Sequence, residues 1–250
     1  MTTAPSSQGF HRSQPKPLEP EAFGLVILSL GLLLHLLWRW LVRPYLAGVA
    51  VILHESSADW SSMVGYVLIL VGGVASGFFF LDYYRAHDES AGRGVFIGTI
   101  FLVGLLTGLY LFDWGIFSFY AQLAPLYGGR FVLYLEFVAD EVLAPALLGV
   151  LFLLWGASLI RFAYHRPRQS PEVQLAQMAG GLFLAVAVLS FLMPLLTVAI
   201  DVSLAADDVF YLIGVWILNE GVFAPVNLVL VWVASISAVR SWRASTAGTA

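Results

Sequence analysis

Six apolar stretches, each long enough to cross the roughly 30 Å hydrocarbon layer of a bilayer, constrain this chain more than any other feature. The first, Phe23–Leu41, reads FGLVILSLGLLLHLLWRWL. The second lies near Ser61–Tyr83, the third near Gly94–Tyr120 and the fourth within Phe131–Phe162. The fifth lies near Met178–Ile200 and the sixth within Val209–Val239. Runs of this length read as membrane-spanning helices, so the expected fold is all-α, a polytopic bundle of six transmembrane helices. The fourth and sixth stretches exceed a perpendicular crossing, so those helices tilt or extend past the bilayer.

Composition agrees. The chain is 60% hydrophobic and 11% charged, against about 45–50% and about 25% in a globular domain. So little charge cannot clothe a soluble surface, and so much apolar content excludes a disordered chain. With 12 basic and 16 acidic residues, nucleic acid is not an expected partner. Cysteine is absent, which excludes disulfides, thiolate catalysis and thiolate metal sites. The expected surroundings are the lipid bilayer, and the expected location is the cell membrane, crossed several times.

Basic residues set the orientation. Arg12 and Lys16 precede the first span, and Arg85 and Arg93 follow the second. Arg161, Arg166 and Arg168 follow the fourth, and Arg240 and Arg243 the sixth. With six spans all of these share one side, which the positive-inside rule makes cytoplasmic together with both termini. Glu55, Asp59, Asp201, Asp207 and Asp208 mark the outer loops. Arg39, Arg43 and Arg130 run against the pattern, although Arg39 and Arg43 can snorkel from the end of the first span. Residues 1–21 are polar, rich in Pro and Ser, and lack a cleavable apolar core; they read as a disordered cytoplasmic tail and not a signal peptide. Residues 22–240 read as one transmembrane domain and 241–250 as a short cytoplasmic tail. Between the first two spans, Val42–Trp60 has an apolar part too short to cross, which leaves three readings: an interfacial helix near residues 44–56, a re-entrant piece, or a continuation of the first span beyond the membrane. Trp60, Trp114 and Tyr120 are expected in an outer aromatic belt.

Two glycine pairs have the spacing that lets helix backbones approach: Gly73 with Gly77, inside GGVASG, and Gly104 with Gly108. A short internal similarity joins the fourth and sixth spans. Asp140-Glu141-Val142-Leu143-Ala144-Pro145 parallels Glu220-Gly221-Val222-Phe223-Ala224-Pro225. Because proline removes a backbone bond, similar kinks are expected at Pro145 and Pro225.

Asp113, Glu136, Asp140, Glu141 and Glu220 lie within or at the outer ends of apolar stretches. A carboxylate there needs a partner, a cation, a proton or water. Glu136 and Asp140 stand one helical turn apart, and Glu220 matches Asp140 in the repeat. Glu136, Asp140, Glu141 and Glu220 therefore form a candidate coupling site. Of the five histidines, His35 lies in the first span and His54 just outside it. One intramembrane histidine cannot supply bis-histidine ligation, so haem b is not expected. His35 or His54 with Asp113, Asp140 and Glu220 is the candidate set for a transition metal such as copper. No phosphate loop, dinucleotide fingerprint or zinc-protease motif occurs. No span contains lysine, which excludes a retinal Schiff base.

The sixth span reads Trp216-Ile-Leu-Asn-Glu220-Gly-Val-Phe-Ala224-Pro225-Val-Asn227. It resembles the last transmembrane segment of the C subunit of membrane-bound methane and ammonia monooxygenases, where Trp, Glu and Pro share the register of Trp216, Glu220 and Pro225. Asn227 stands where that family carries a histidine. The family's Arg-Asp and Phe-Thr-Pro motifs, with their histidines, are absent from FSFYAQLAPLYGGRFVLYLEFVADE. The resemblance implies a membrane subunit whose metal site is not kept in the family's form. Three functions follow as expectations. The first is a subunit of a larger membrane complex, joined to other subunits or to its own copies. The second is a small ion-coupled transporter, and the third a membrane metalloenzyme.

Overall fold

The computed structural model describes residues 23–37, 57–87, 91–118, 120–128, 131, 135, 138–167, 170–203 and 222–247. They form α1 (Phe23–Leu37), α2 (Ser57–Arg85), α3 (Ala91–Ser118) and the short α4 (Tyr120–Tyr127). A π-helical segment, Val138–Leu143, then leads into α5 (Ala144–Tyr164), followed by α6 (Pro171–Ser203) and α7 (Ala224–Ala247). Five of these, α2, α3, α5, α6 and α7, are long and apolar enough to cross a membrane. The chain is an all-α, multi-pass protein of the cell membrane. Only five full-length spans are described where the sequence suggested six: α1 is apolar but has 15 residues, about 22 Å of helix. The rest of the first stretch, with Arg39 and Arg43, lies outside the described residues, as do the tail 1–21 and the candidate interfacial helix at 44–56.

Helix limits follow local chemistry. At the start of α6, Ser170 accepts at its Oγ from the Val173 N–H (3.3 Å) and at its carbonyl from the Gln174 N–H (3.2 Å). Pro171, which has no N–H to leave unpaired, opens the helix, and Glu172 places negative charge at its positive end. The helix therefore begins well before Met178. Helix α4 stops at Gly128, whose φ of 86° suits a residue without a Cβ. Helix α7 continues past Val239 to Ala247. Nothing from Arg240 to Ala247 breaks a helix, and Trp242 is buried against Phe79, 6.3 Å between ring centroids.

Each long helix packs on its neighbour in sequence, α1 on α2, α2 on α3, α3 on α5, α5 on α6 and α6 on α7, and α7 returns to α1 to close the ring. Glycine sets the tightest crossings. A Cβ on Gly31 would lie 2.6 Å from the Ile69 backbone nitrogen; one on Gly24 would strike the Ala75 backbone, and one on Gly72 that of Leu28. No side chain fits between α1 and α2 at these points. Between α5 and α6, Gly156 and Gly180 face each other, and a Cβ on either would come within 2.9–3.0 Å of the other's carbonyl oxygen. The expected Gly73–Gly77 seam receives α3: Val103 Cγ2 would be 2.8 Å from a Cβ on Gly73, and Thr99 Cγ2 3.2 Å from one on Gly77.

Inside the ring is an aromatic core. Phe80 packs on Trp155 (5.1 Å between centroids), Trp155 on Phe183 (5.7 Å), and Phe152 stacks on Phe183 (5.8 Å). The Trp155 indole N–H donates to Thr99 Oγ1 at 2.9 Å, which satisfies a donor that burial would otherwise leave unpaired. At one end of the bundle the end of α2, the start of α3, the end of α5, the start of α6 and the end of α7 come together. Every described arginine lies there: Arg85, Arg93, Arg161, Arg166, Arg240 and Arg243.

Candidate functional site

The acids and histidines nominated from sequence all fall outside the described side chains. The backbone places His35 on α1, Asp113 on α3, and Asp140 and Glu141 on the π-helical segment; their side chains are not described, nor are His54, Glu136 and Glu220 at all. The metal set and the coupling set therefore both lie outside the described side chains. Among the described residues no group of three His, Cys, Asp or Glu is placed to hold a metal ion. The helices that continue from these acids, α5 and α7, both pack on α6.

The internal repeat does have a structural counterpart. The π-helical turn Val138–Leu143 runs directly into Ala144-Pro145. Residues 222 and 223 are π-helical and run directly into Ala224-Pro225. In an α-helix, residues 145 and 225 would each donate an N–H to the carbonyl four residues back, and proline has none to give. A π-turn lets that carbonyl reach the amide five residues on. Asp140 and Glu141 lie on the first of these turns. Ala139, beside Asp140, is buried, and the turn packs against α3 and α6.

The best-defined polar constellation is at the arginine-rich end. His87 follows α2, and its ring is 5% exposed. Its Nδ1 lies 2.5 Å from the Tyr83 carbonyl oxygen and its Nε2 2.8 Å from Glu172 Oε1. Both ring nitrogens thus face oxygens. Glu172, in the first turn of α6, also lies 3.7 Å from Arg166 Nη1, while Arg166 Nη2 donates to the His87 carbonyl at 3.3 Å. The guanidinium covers the Phe162 ring at 4.6 Å, and His87 meets the same ring edge-on at 4.7 Å. From α7, Ser241 Oγ donates to the Glu172 carbonyl (2.9 Å), which leaves the Tyr83 hydroxyl to donate to Ser241 Oγ (3.0 Å).

This cluster ties α2, the α5–α6 connection, α6 and α7 at one level. The hydroxyls of Tyr83 and Ser241 and both His87 nitrogens have protein partners, so the arrangement clamps these helices together. No local sequence pattern singles out His87, because its partner is 85 residues away. One signal was present: Ser170-Pro171-Glu172 is a helix-start pattern that fixes a carboxylate at the membrane edge. No protein-family model, curated protein or solved structure matches the chain.

Proposed function

We propose that the protein is a membrane-embedded subunit of a larger assembly. It crosses the cell membrane six times, with α1 and the residues after it forming the first span. The arginine-rich end and both termini face the cytoplasm, in keeping with the positive-inside rule. The observation that carries the subunit reading is the outer face of α3. Gly104 and Gly108 repeat the spacing used at Gly73 and Gly77, yet a Cβ on either would meet nothing within 4 Å. Ile97, Phe101, Leu105 and Leu111 continue this exposed stripe at helical spacing, and α3 is the least buried of the five long spans. A small-residue pair of this kind receives a helix backbone, and the described residues supply none to it. The membrane-bound monooxygenase C subunit is the type of partner-dependent subunit we have in mind, on the register of Trp216, Glu220 and Pro225. With Asn227 at the family's histidine position, the proposed role is structural and not copper-dependent. Purification from the native membrane in mild detergent tests this: a stable assembly heavier than the 27.3 kDa chain supports it, and an isolated monomer overturns it.

A second reading is favoured by the paired π-turns. An ion-coupled carrier would use Asp140 and Glu220 beside turns whose backbone bonding proline has loosened. In proteoliposomes, the amide variants Asp140→Asn and Glu220→Gln should together abolish coupled proton or cation flux, and unchanged flux rejects the reading.

A further inference from the structure

Helices α3, α5 and α7 each place an outward arginine beside an inward residue at one level of the bundle. Gly92 is buried against Tyr84, whose Cβ would be 2.7 Å from a Cβ on the glycine. Phe162 is buried against Tyr83, 5.1 Å between ring centroids, and Ser241 bonds the Tyr83 hydroxyl. The Tyr83–Tyr84 pair at the end of α2 therefore sets the height of all three. Their sequence neighbours Arg93, Arg161 and Arg240 are exposed, because adjacent side chains on a helix point about 100° apart.

These arginines differ from Arg85 and Arg166. Arg85 pairs with Asp82 at 3.5 Å, and Arg166 lies 3.7 Å from Glu172. Among the described residues no acid pairs with Arg93, Arg161 or Arg240. All three nevertheless lie within the parts of α3, α5 and α7 that are apolar enough to cross a membrane. Their long side chains bring the guanidinium groups to the edge of the hydrocarbon layer, where a cation needs a counter-charge or water. Each also continues an exposed apolar stripe at helical spacing. Arg93 shares its face with Ile97 and Phe101, Arg161 with Ala157 and Leu153, and Arg240 with Ile236 and Val233.

We propose that Arg93, Arg161 and Arg240 form a collar that binds lipids with anionic phosphate headgroups. Each guanidinium donates to a phosphate oxygen, and the acyl chains lie along the apolar stripe on the same face. Charge and apolar surface are joined on each face as phosphate and acyl chain are joined in one lipid; an acidic soluble segment matches only the charge. Arg161 and Arg240 lie on α5 and α7, so the collar does not rest on a partner for α3.

The test uses the full chain in an uncharged detergent, with phosphatidylglycerol and phosphatidylcholine of the same acyl chains in competition. Native mass spectrometry reads which lipid is retained. Phosphatidylglycerol should be preferred about fivefold for each arginine contact, and the preference should fall as ionic strength rises. The triple variant Arg93→Gln/Arg161→Gln/Arg240→Gln should retain the two lipids equally, whereas Arg85→Gln, whose guanidinium is already paired, should keep the native preference. Equal retention by the native chain would overturn the proposal, as would a folded triple variant that keeps the preference. Displacement of phosphatidylglycerol by the same concentration of glycerol phosphate or of a polyglutamate peptide would also overturn it, assigning the arginines to a free anion or to an acidic protein segment. If the triple variant does not fold, the lipid and competitor comparisons on the native chain decide the matter.

Discussion

His87 Nε2 and Glu172 Oε1 stand 2.8 Å apart, joining the end of α2 to the first turn of α6 across 85 residues of sequence. The contact is largely shielded, with side-chain exposures of 5% and 17%. Removing one partner strands the other in a place where water reaches it poorly. Glu172→Ala should therefore destabilise the bundle by about 2–3 kcal/mol, more than a surface ion pair is worth. Thermal unfolding in detergent checks this. Glu172→Gln, which can still accept a hydrogen bond, should lose less than Glu172→Ala.

A second prediction concerns the aromatic core. Thr99→Val removes the acceptor for the Trp155 indole N–H at nearly constant volume. The buried donor then lacks a partner, at a cost of about 1–2 kcal/mol. Thr99→Ser keeps the hydroxyl and should recover most of that loss. Chemical denaturation followed by tryptophan fluorescence separates the two variants.

A glycine at a tight crossing and one on an open face should respond oppositely to the same change. Gly72→Leu drives a side chain into the backbone of Leu28. Overpacking of this kind costs about 1–3 kcal/mol or more where neither helix can yield, so α1 should part from α2 and yields of folded protein should fall. Gly104→Leu meets open space, so the melting temperature of the isolated chain should stay within error of the native value.

The bundle was legible because bilayer thickness sets span length, and α2, α3, α5, α6 and α7 all fall in stretches read as spans. The Gly73–Gly77 seam was legible for the same kind of reason, since its spacing follows from the helical repeat. Gly104 and Gly108 show the limit of that signal: spacing says that two glycines share a face, not which way the face points. Gly24 and Gly31 were missed because two turns of larger residues separate them, although both press against α2. The repeat around Pro145 and Pro225 marked the π-turns, since a missing N–H is a property of the residue itself. The His87–Glu172 clamp was hidden because no local pattern pairs residues on different helices. The nominated acids and histidines lie outside the described side chains, so the sequence alone still speaks for them.

The subunit reading turns on the face of α3 that holds Gly104 and Gly108. Its most direct test is the mass of the protein extracted from its native membrane in mild detergent, measured for the native chain and for the double variant Gly104→Leu/Gly108→Leu. The expected result is an assembly heavier than 27.3 kDa for the native chain and a folded monomer for the variant. A native chain that runs as a monomer, or a variant that keeps the native assembly, would contradict it.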